Sequence, residues 1–236
     1  MALNFLLIIL AFRLWGKTGL YVWAGFAIVI ANIQVLKTVQ IFGLVATLGN
    51  IVYGTTFLTT DILSELYGKH DSRKAVWIGF FTMISMTILM QVSLLFIPDE
   101  SDFAQQSLKT IFGVMPRIMA ASLVAYLISQ NHDIWAFHFW KRSTGGKYLW
   151  LRNNLSTMVS QLIDSAVFCT IAFTGLFSWS VFWQILLTTY LFKLIVAALD
   201  TPFVYWARAL KKRGLVNLFD KGREPEEAAV HREPGK

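Results

Sequence analysis

Runs of about 20 apolar residues recur along this chain, each long enough to cross a hydrocarbon core of ~30 Å as a helix. They occupy residues 20–36, 41–63, 75–97, 116–140, 154–177 and 181–206, with a shorter run at 2–12 that ends at Arg13. Inside a bilayer every backbone N–H and C=O must be satisfied by the chain itself, so helical spans or a closed barrel are the only solutions. Runs of this length select helices. The expected fold is an all-α polytopic membrane protein with six to seven transmembrane helices in one bundle, the count depending on how 2–12 is placed. Composition agrees, with 56% hydrophobic and 15% charged residues against about 25% charged in soluble domains.

The formal charge of +7 does not indicate nucleic acid, because the basic residues collect in alternate loops. Lys69, Arg73 and Lys74 mark one side, as do Lys141, Arg142, Lys147 and Arg152, and then Arg208, Lys211, Lys212 and Arg213. The opposite loops carry Asp99, Glu100 and Asp102, or no charge near Ser178. Basic loops face the cytoplasm, which puts the C-terminus on the cytoplasmic side. Residues 1–207 form the expected bundle and 208–236 a basic, polar tail, expected to be disordered. Cys169 is the only cysteine, so an internal disulfide and a cysteine-rich metal site are excluded. His132 and His138 lack carboxylates at metal-ligand spacing. No GxxxxGK[ST], HExxH or GxSxG occurs, which leaves an enzyme little to work with. No cofactor or metal is expected.

Removing the loops isolates Asp61, Glu65, Arg117, Asp133, Asp164, Lys193 and Asp200 within the apolar runs. A charge at the bilayer centre costs about 2.5–3.5 kcal/mol on insertion scales unless it faces protein or water. Helical spacing gathers these residues with other polar ones. Thr47, Asn50, Tyr53, Gly54, Phe57, Asp61, Ser64 and Glu65 form one stripe, and Asn154, Thr157, Gln161, Asp164 and Ser165 a second. Thr189, Tyr190, Lys193, Ala197 and Asp200 form a third, while Arg117 shares its face with Ala120, Ala121 and Val124. Converging stripes describe a solute pocket. The competing reading takes Asp164–Lys193 or Asp61–Arg117 as ion pairs that only hold helices in register. The aromatic faces nearest the stripes belong to Tyr53, Phe57, Phe168 and Tyr190.

Four blocks in order, "TTDILSELYG", "PRIMAASLVAYLISQNHDIWAF", "WLRNNLSTMVSQLIDSAVF" and "TTYLFKLIVAALDTPF", resemble the vitamin uptake transporter family, the YhhQ-like queuosine precursor transporters. The likeness runs from about Tyr21 to Arg208. It implies uptake of 7-cyano- or 7-aminomethyl-7-deazaguanine across a bacterial inner membrane, and a fold similar to the substrate-binding components of energy-coupling-factor importers. Asn32, Asp61, Arg117, Gln130, Asp133, Asp164 and Lys193 match the family's polar signature. "SQLID" stands where other members resemble "GNVSD", and the 2–12 segment is additional.

The chemistry of such a solute suits the stripes. A deazaguanine presents a ring N–H beside an exocyclic amine, a donor pair that one carboxylate accepts. Its carbonyl calls for a donor such as Gln161, Asn50 or Arg117, and its ring for an aromatic face. Asp61 and Glu65, one turn apart, would line the cytoplasmic end, binding solute donors or exchanging protons. The expected residues are thus Asn50, Tyr53, Phe57, Asp61, Glu65, Arg117, Gln161, Asp164, Tyr190 and Lys193, with Asn32, Gln130, Asp133, Asn154, Phe168 and Asp200 behind them. The partners are a small 7-deazapurine and the lipid bilayer, with room for a homo-oligomer. A secondary carrier is the leading reading. The alternatives are the binding subunit of an ATP-driven importer, and a non-transporting membrane protein with structural polar stripes.

Overall fold

A computed structural model describes residues 1–143 and 149–218. The fold is all-α and polytopic, as expected. Helices α1 (Ala2–Gln34), α2 (Gly49–Tyr67), α3 (Lys69–Ser93), α4 (Gln105–Phe112), α5 (Met115–Ser143), α6 (Leu149–Phe173), α7 (Trp179–Leu199) and α8 (Thr201–Lys212) follow one another, with a small hairpin between α1 and α2. Four apolar stretches have the length and composition to cross a membrane, namely Ala2–Gln34, Lys69–Ser93, Gln105–His132 and Trp179–Lys212. Helix α2 is more polar because Thr55, Thr56, Thr59, Thr60, Asp61, Ser64 and Glu65 crowd one helix.

The chain divides into two compact units. The first comprises Met1–Ile28, Val52–Thr82 and the chain from Val196 onward; the second comprises Val29–Ile51 and Met83–Ile195. In the first unit, α1 is not one rod. Gly16 adopts φ 57 and ψ −135, outside the helical region, a conformation that costs only glycine little. A Cβ on Gly19 would lie 2.2 Å from the carbonyl oxygen of Ala11, which a straight helix would hold ~12 Å away. Residues 2–15 therefore fold back on residues 17–34. The first half rises ~21 Å, short of a full hydrocarbon core. Its Phe5, Ile8 and Phe12 pack with Leu20 and Ala24 of the second half, Leu58 and Ile62 of α2, and Leu210 of α8. Lys17 and Tyr21 close this unit's polar edge on Asp71, at 3.3 and 2.5 Å.

In the second unit Val35, Phe112, Met115, Ile118, Cys169, Phe173, Phe182 and Ile185 form the core. Here the expected span 41–63 requires correction. Strands β1 (Thr38–Ile41) and β2 (Leu44–Thr47) pair antiparallel, and the helix starts only at Gly49. The turn residues Phe42 and Gly43 have φ 51 and 80, the two positive angles of the two-residue turn that matches strand twist. A short apolar run reads equally well as strand or buried helix. Here the β-branched Thr38, Val39, Ile41, Val45 and Thr47 around a Phe-Gly turn decide for strand.

The last expected span, 181–206, is also two pieces. Helix α7 ends at Leu199, and Pro202 occupies the first turn of α8, where its missing N–H leaves no helical bond unmade. The described helix continues to Lys212, and residues 219–236 of the tail lie outside the described residues.

Candidate functional site

The polar side chains of the second unit meet along α7. Lys193 forms an ion pair with Asp164 of α6, and the two side chains are only 7% and 14% exposed. The Ser129 hydroxyl of α5 stands 3.2 Å both from the other Asp164 oxygen and from the carbonyl of Tyr126 on its own helix, and shares its one hydrogen between them. One turn above Lys193, the Asn50 amide donates to Thr189 Oγ1 at 2.6 Å, and the Cys169 thiol reaches the same oxygen at 3.9 Å. A buried ion pair is costly to assemble unless its remaining valences are met, and here α5, α6 and α7 each supply a group.

Gln161 lies one turn from Asp164 on α6. Its Oε1 is sealed from solvent and has no hydrogen-bond partner among the described residues. A buried acceptor left unmade costs on the order of 1–3 kcal/mol. The site thus holds an acceptor with no donor, beside a carboxylate and an ammonium.

The other expected residues of this unit distribute differently. Arg117 donates Nε to the carbonyl of Ile171 at 2.6 Å and Nη2 to that of Thr174 at 2.5 Å. It thereby caps the C-terminal carbonyls of α6, which a helix cannot satisfy itself. Phe168 and Tyr190 are half-buried, and Phe168 meets Phe173 edge-on at 5.6 Å. Asn32 is buried and Gln130 is exposed. The side chains of Asp133 and Asn154 lie outside the described residues.

The first unit holds a separate constellation. A cavity of about 380 Å³ is lined by Asp61, Ser64, Glu65, Asp200, Thr201 and Arg208, among others. Asp200 is 4% exposed, and its carboxyl lies close enough to that of Asp61 for the two to interact. Glu65 turns to Arg208 at 3.5 Å, with both side chains well exposed. The geometry thus pairs Asp61 with Asp200, whereas the sequence grouped it with Glu65. Tyr53 and Phe57 contact each other edge-on at 5.8 Å, and Phe57 packs against the unit's core.

Sequence reasoning missed Ser129 and Arg208, and it placed Thr189 on the third stripe without ranking it among the site residues. Ser129 is one hydroxyl among many, and nothing in its spacing sets it apart from those that only bond their own helix, such as Thr55 and Thr87. Arg208 read as a loop cation. No group of three or more metal-ligating side chains forms among the described residues.

Comparison with known proteins bears on this arrangement. Residues 47–207 match the family described as "Putative vitamin uptake transporter". A protein of Bacillus subtilis (strain 168), named "Probable queuosine precursor transporter", is 46% identical over 209 residues, 88% of this chain and 91% of its own length. A protein of the same name from Haemophilus influenzae is 29% identical over 133 residues, 56% of this chain and 54% of its own length. No solved structure matches.

Proposed function

The chain belongs to the vitamin uptake transporter family, and from that membership we propose that it imports queuosine precursors of the 7-deazaguanine class, as the names of its relatives suggest. The observation that carries the site assignment is the orphaned acceptor of Gln161 beside the Asp164–Lys193 pair. A 7-deazaguanine brings adjacent N–H donors for Asp164 and Gln161, and a carbonyl for the Lys193 ammonium or the Asn50 amide. Phe168 and Tyr190 are the aromatic faces of the same unit. Arg117 we assign to holding the end of α6. Nothing in this chemistry requires a cofactor or a covalent step.

The decisive experiment is uptake of radiolabelled precursor into bacteria unable to synthesise it and lacking any energy-coupling-factor ATPase. Uptake there supports a self-sufficient carrier, and its absence favours a binding subunit that needs a motor. In the same cells Gln161→Met should raise the half-saturating concentration about tenfold or more, with yield and thermal stability unchanged or improved, since the variant removes a buried group that has no partner. An unchanged half-saturating concentration would take Gln161 out of the seat.

A secondary carrier also needs a coupling group. We assign that role to the carboxyl pair Asp61–Asp200, which opens on a cavity of its own unit. Asp61→Asn and Asp200→Asn should still exchange labelled for unlabelled solute across proteoliposomes, while accumulation against a gradient falls to the equilibrium level. Loss of exchange as well would make the pair a ligand. We place the protein in the bacterial inner membrane with its C-terminus cytoplasmic, on the strength of its basic loops.

A further inference from the structure

The outer edge of β2 is closed by side chains of α7 and by no third strand. The N–H of Val45 donates to Gln184 Oε1 at 2.9 Å, and its carbonyl accepts from Thr188 Oγ1 at 3.1 Å. A bare strand edge inside a bilayer would leave such groups unmet, so these two bonds, together with Val45 packed on the unit's core and the buried Ala46 and Thr47, hold the hairpin against the helix. The Thr188 bond is also easy to exchange. The single hydroxyl hydrogen of Thr188 has two other acceptors within reach, the carbonyls of Gln184 at 2.8 Å and Ile185 at 3.0 Å on its own helix. Releasing the hairpin therefore leaves the hydroxyl satisfied.

The rest of the hairpin divides into a fixed base and an unattached tip. At the base, the N–H of Leu48 donates to the carbonyl of Lys37 at 2.9 Å, and Gly49 lies against the backbone of Ala31 and Val35. At the tip, Phe42 is 100% exposed. Directly beyond the two bonds comes Thr189, which holds Asn50 and Cys169, and one turn further Lys193 with Asp164. The hairpin thus covers the Trp179 end of the polar column.

We propose that residues 38–47 form a flap over this column, hinged at its base and latched to α7 by Gln184 and Thr188. Its use in solute entry rests on the transport reading, but its opening does not. Cys169, the chain's one cysteine, is fully buried one contact from Thr189 and reports the opening without added labels.

The test uses the purified full chain in lipid nanodiscs and a charged methanethiosulfonate reagent. Wild-type Cys169 should react slowly, and the double variant Gln184→Leu/Thr188→Val roughly tenfold faster, because two bonds that favour the closed state are gone. Gln184→Glu and Thr188→Ser keep an acceptor and a hydroxyl, and should react at the wild-type rate. Equal rates in wild type and the folded double variant would overturn the latch, and so would fast reaction in the two conservative variants. Should the double variant fail to fold, hydrogen exchange on the wild type decides. The flap requires residues 38–47 to exchange well ahead of the α7 backbone, and equal protection would sink it. Equal thiol rates would leave the uptake reading standing, and failed uptake in cells would leave the rates unchanged.

Discussion

Asp164→Asn should reduce precursor uptake about a hundredfold or more. The amide keeps the size of the carboxylate and can still accept from Ser129, but it takes from the Lys193 ammonium, 7% exposed, the negative charge of Asp164. Removing one partner of a buried pair costs about 3–5 kcal/mol, mostly from the charge left behind. Part of the uptake loss could therefore be lost protein. The double variant Asp164→Leu/Lys193→Met separates the two causes, since an apolar replacement of a whole buried pair is commonly neutral. If Asp164 binds solute, the double variant regains wild-type yield in the membrane and remains inactive. Recovery of uptake in that variant would reduce the pair to a helix fastener.

Gly49→Val should yield little or no folded protein. A Cβ at this position would stand 2.3 Å from the carbonyl oxygen of Ala31, 2.5 Å from the nitrogen of Val35 and 2.7 Å from its Cα. All three are backbone atoms, so no rotamer change relieves the contact. Overpacking typically costs about 1–3 kcal/mol where side chains can adjust, and here they cannot. Gly49→Ala should be nearly as damaging, which distinguishes close approach from mere bulk. The measurement is the monodisperse fraction after detergent extraction, compared with Gly79→Ala, whose added Cβ meets only side-chain atoms of Ile28, the nearest at 3.2 Å. Similar yields for the two alanine variants would refute the packing argument.

Much of this architecture was legible in the sequence because lipid leaves few options. Apolar runs gave the helices, and an ionisable residue inside one stands out by its insertion cost. That subtraction found Asp164, Lys193, Asp61 and Asp200, and spacing put Gln161 beside Asp164. Pairing was less legible. Asp164–Lys193 was one of two candidate ion pairs, and it forms within one unit. Arg117 was bound for the carbonyls of Ile171 and Thr174, and backbone carbonyls leave no mark on a sequence. The hairpin was hidden for a different reason. Residues 38–47 are as apolar as a span, and only the backbone angles at Phe42 and Gly43 reveal the reversal. At Gly16 the reading separated 2–12 from 20–36 without identifying what turns the chain, since a lone glycine in an apolar run is common.

Helices α5 and α6 are joined at three heights. Arg117 holds Ile171 and Thr174 at one end, Ser129 holds Asp164 midway, and His132 Nδ1 lies 3.0 Å from Ser160 Oγ beyond it. Two rods pinned at several points along their length resist shear, so they bend and tilt as one beam rather than sliding past each other. Asp164 is consequently positioned by α5 as much as by its own helix. A tilt applied at the Arg117 end therefore moves the carboxylate relative to the Lys193 ammonium on α7.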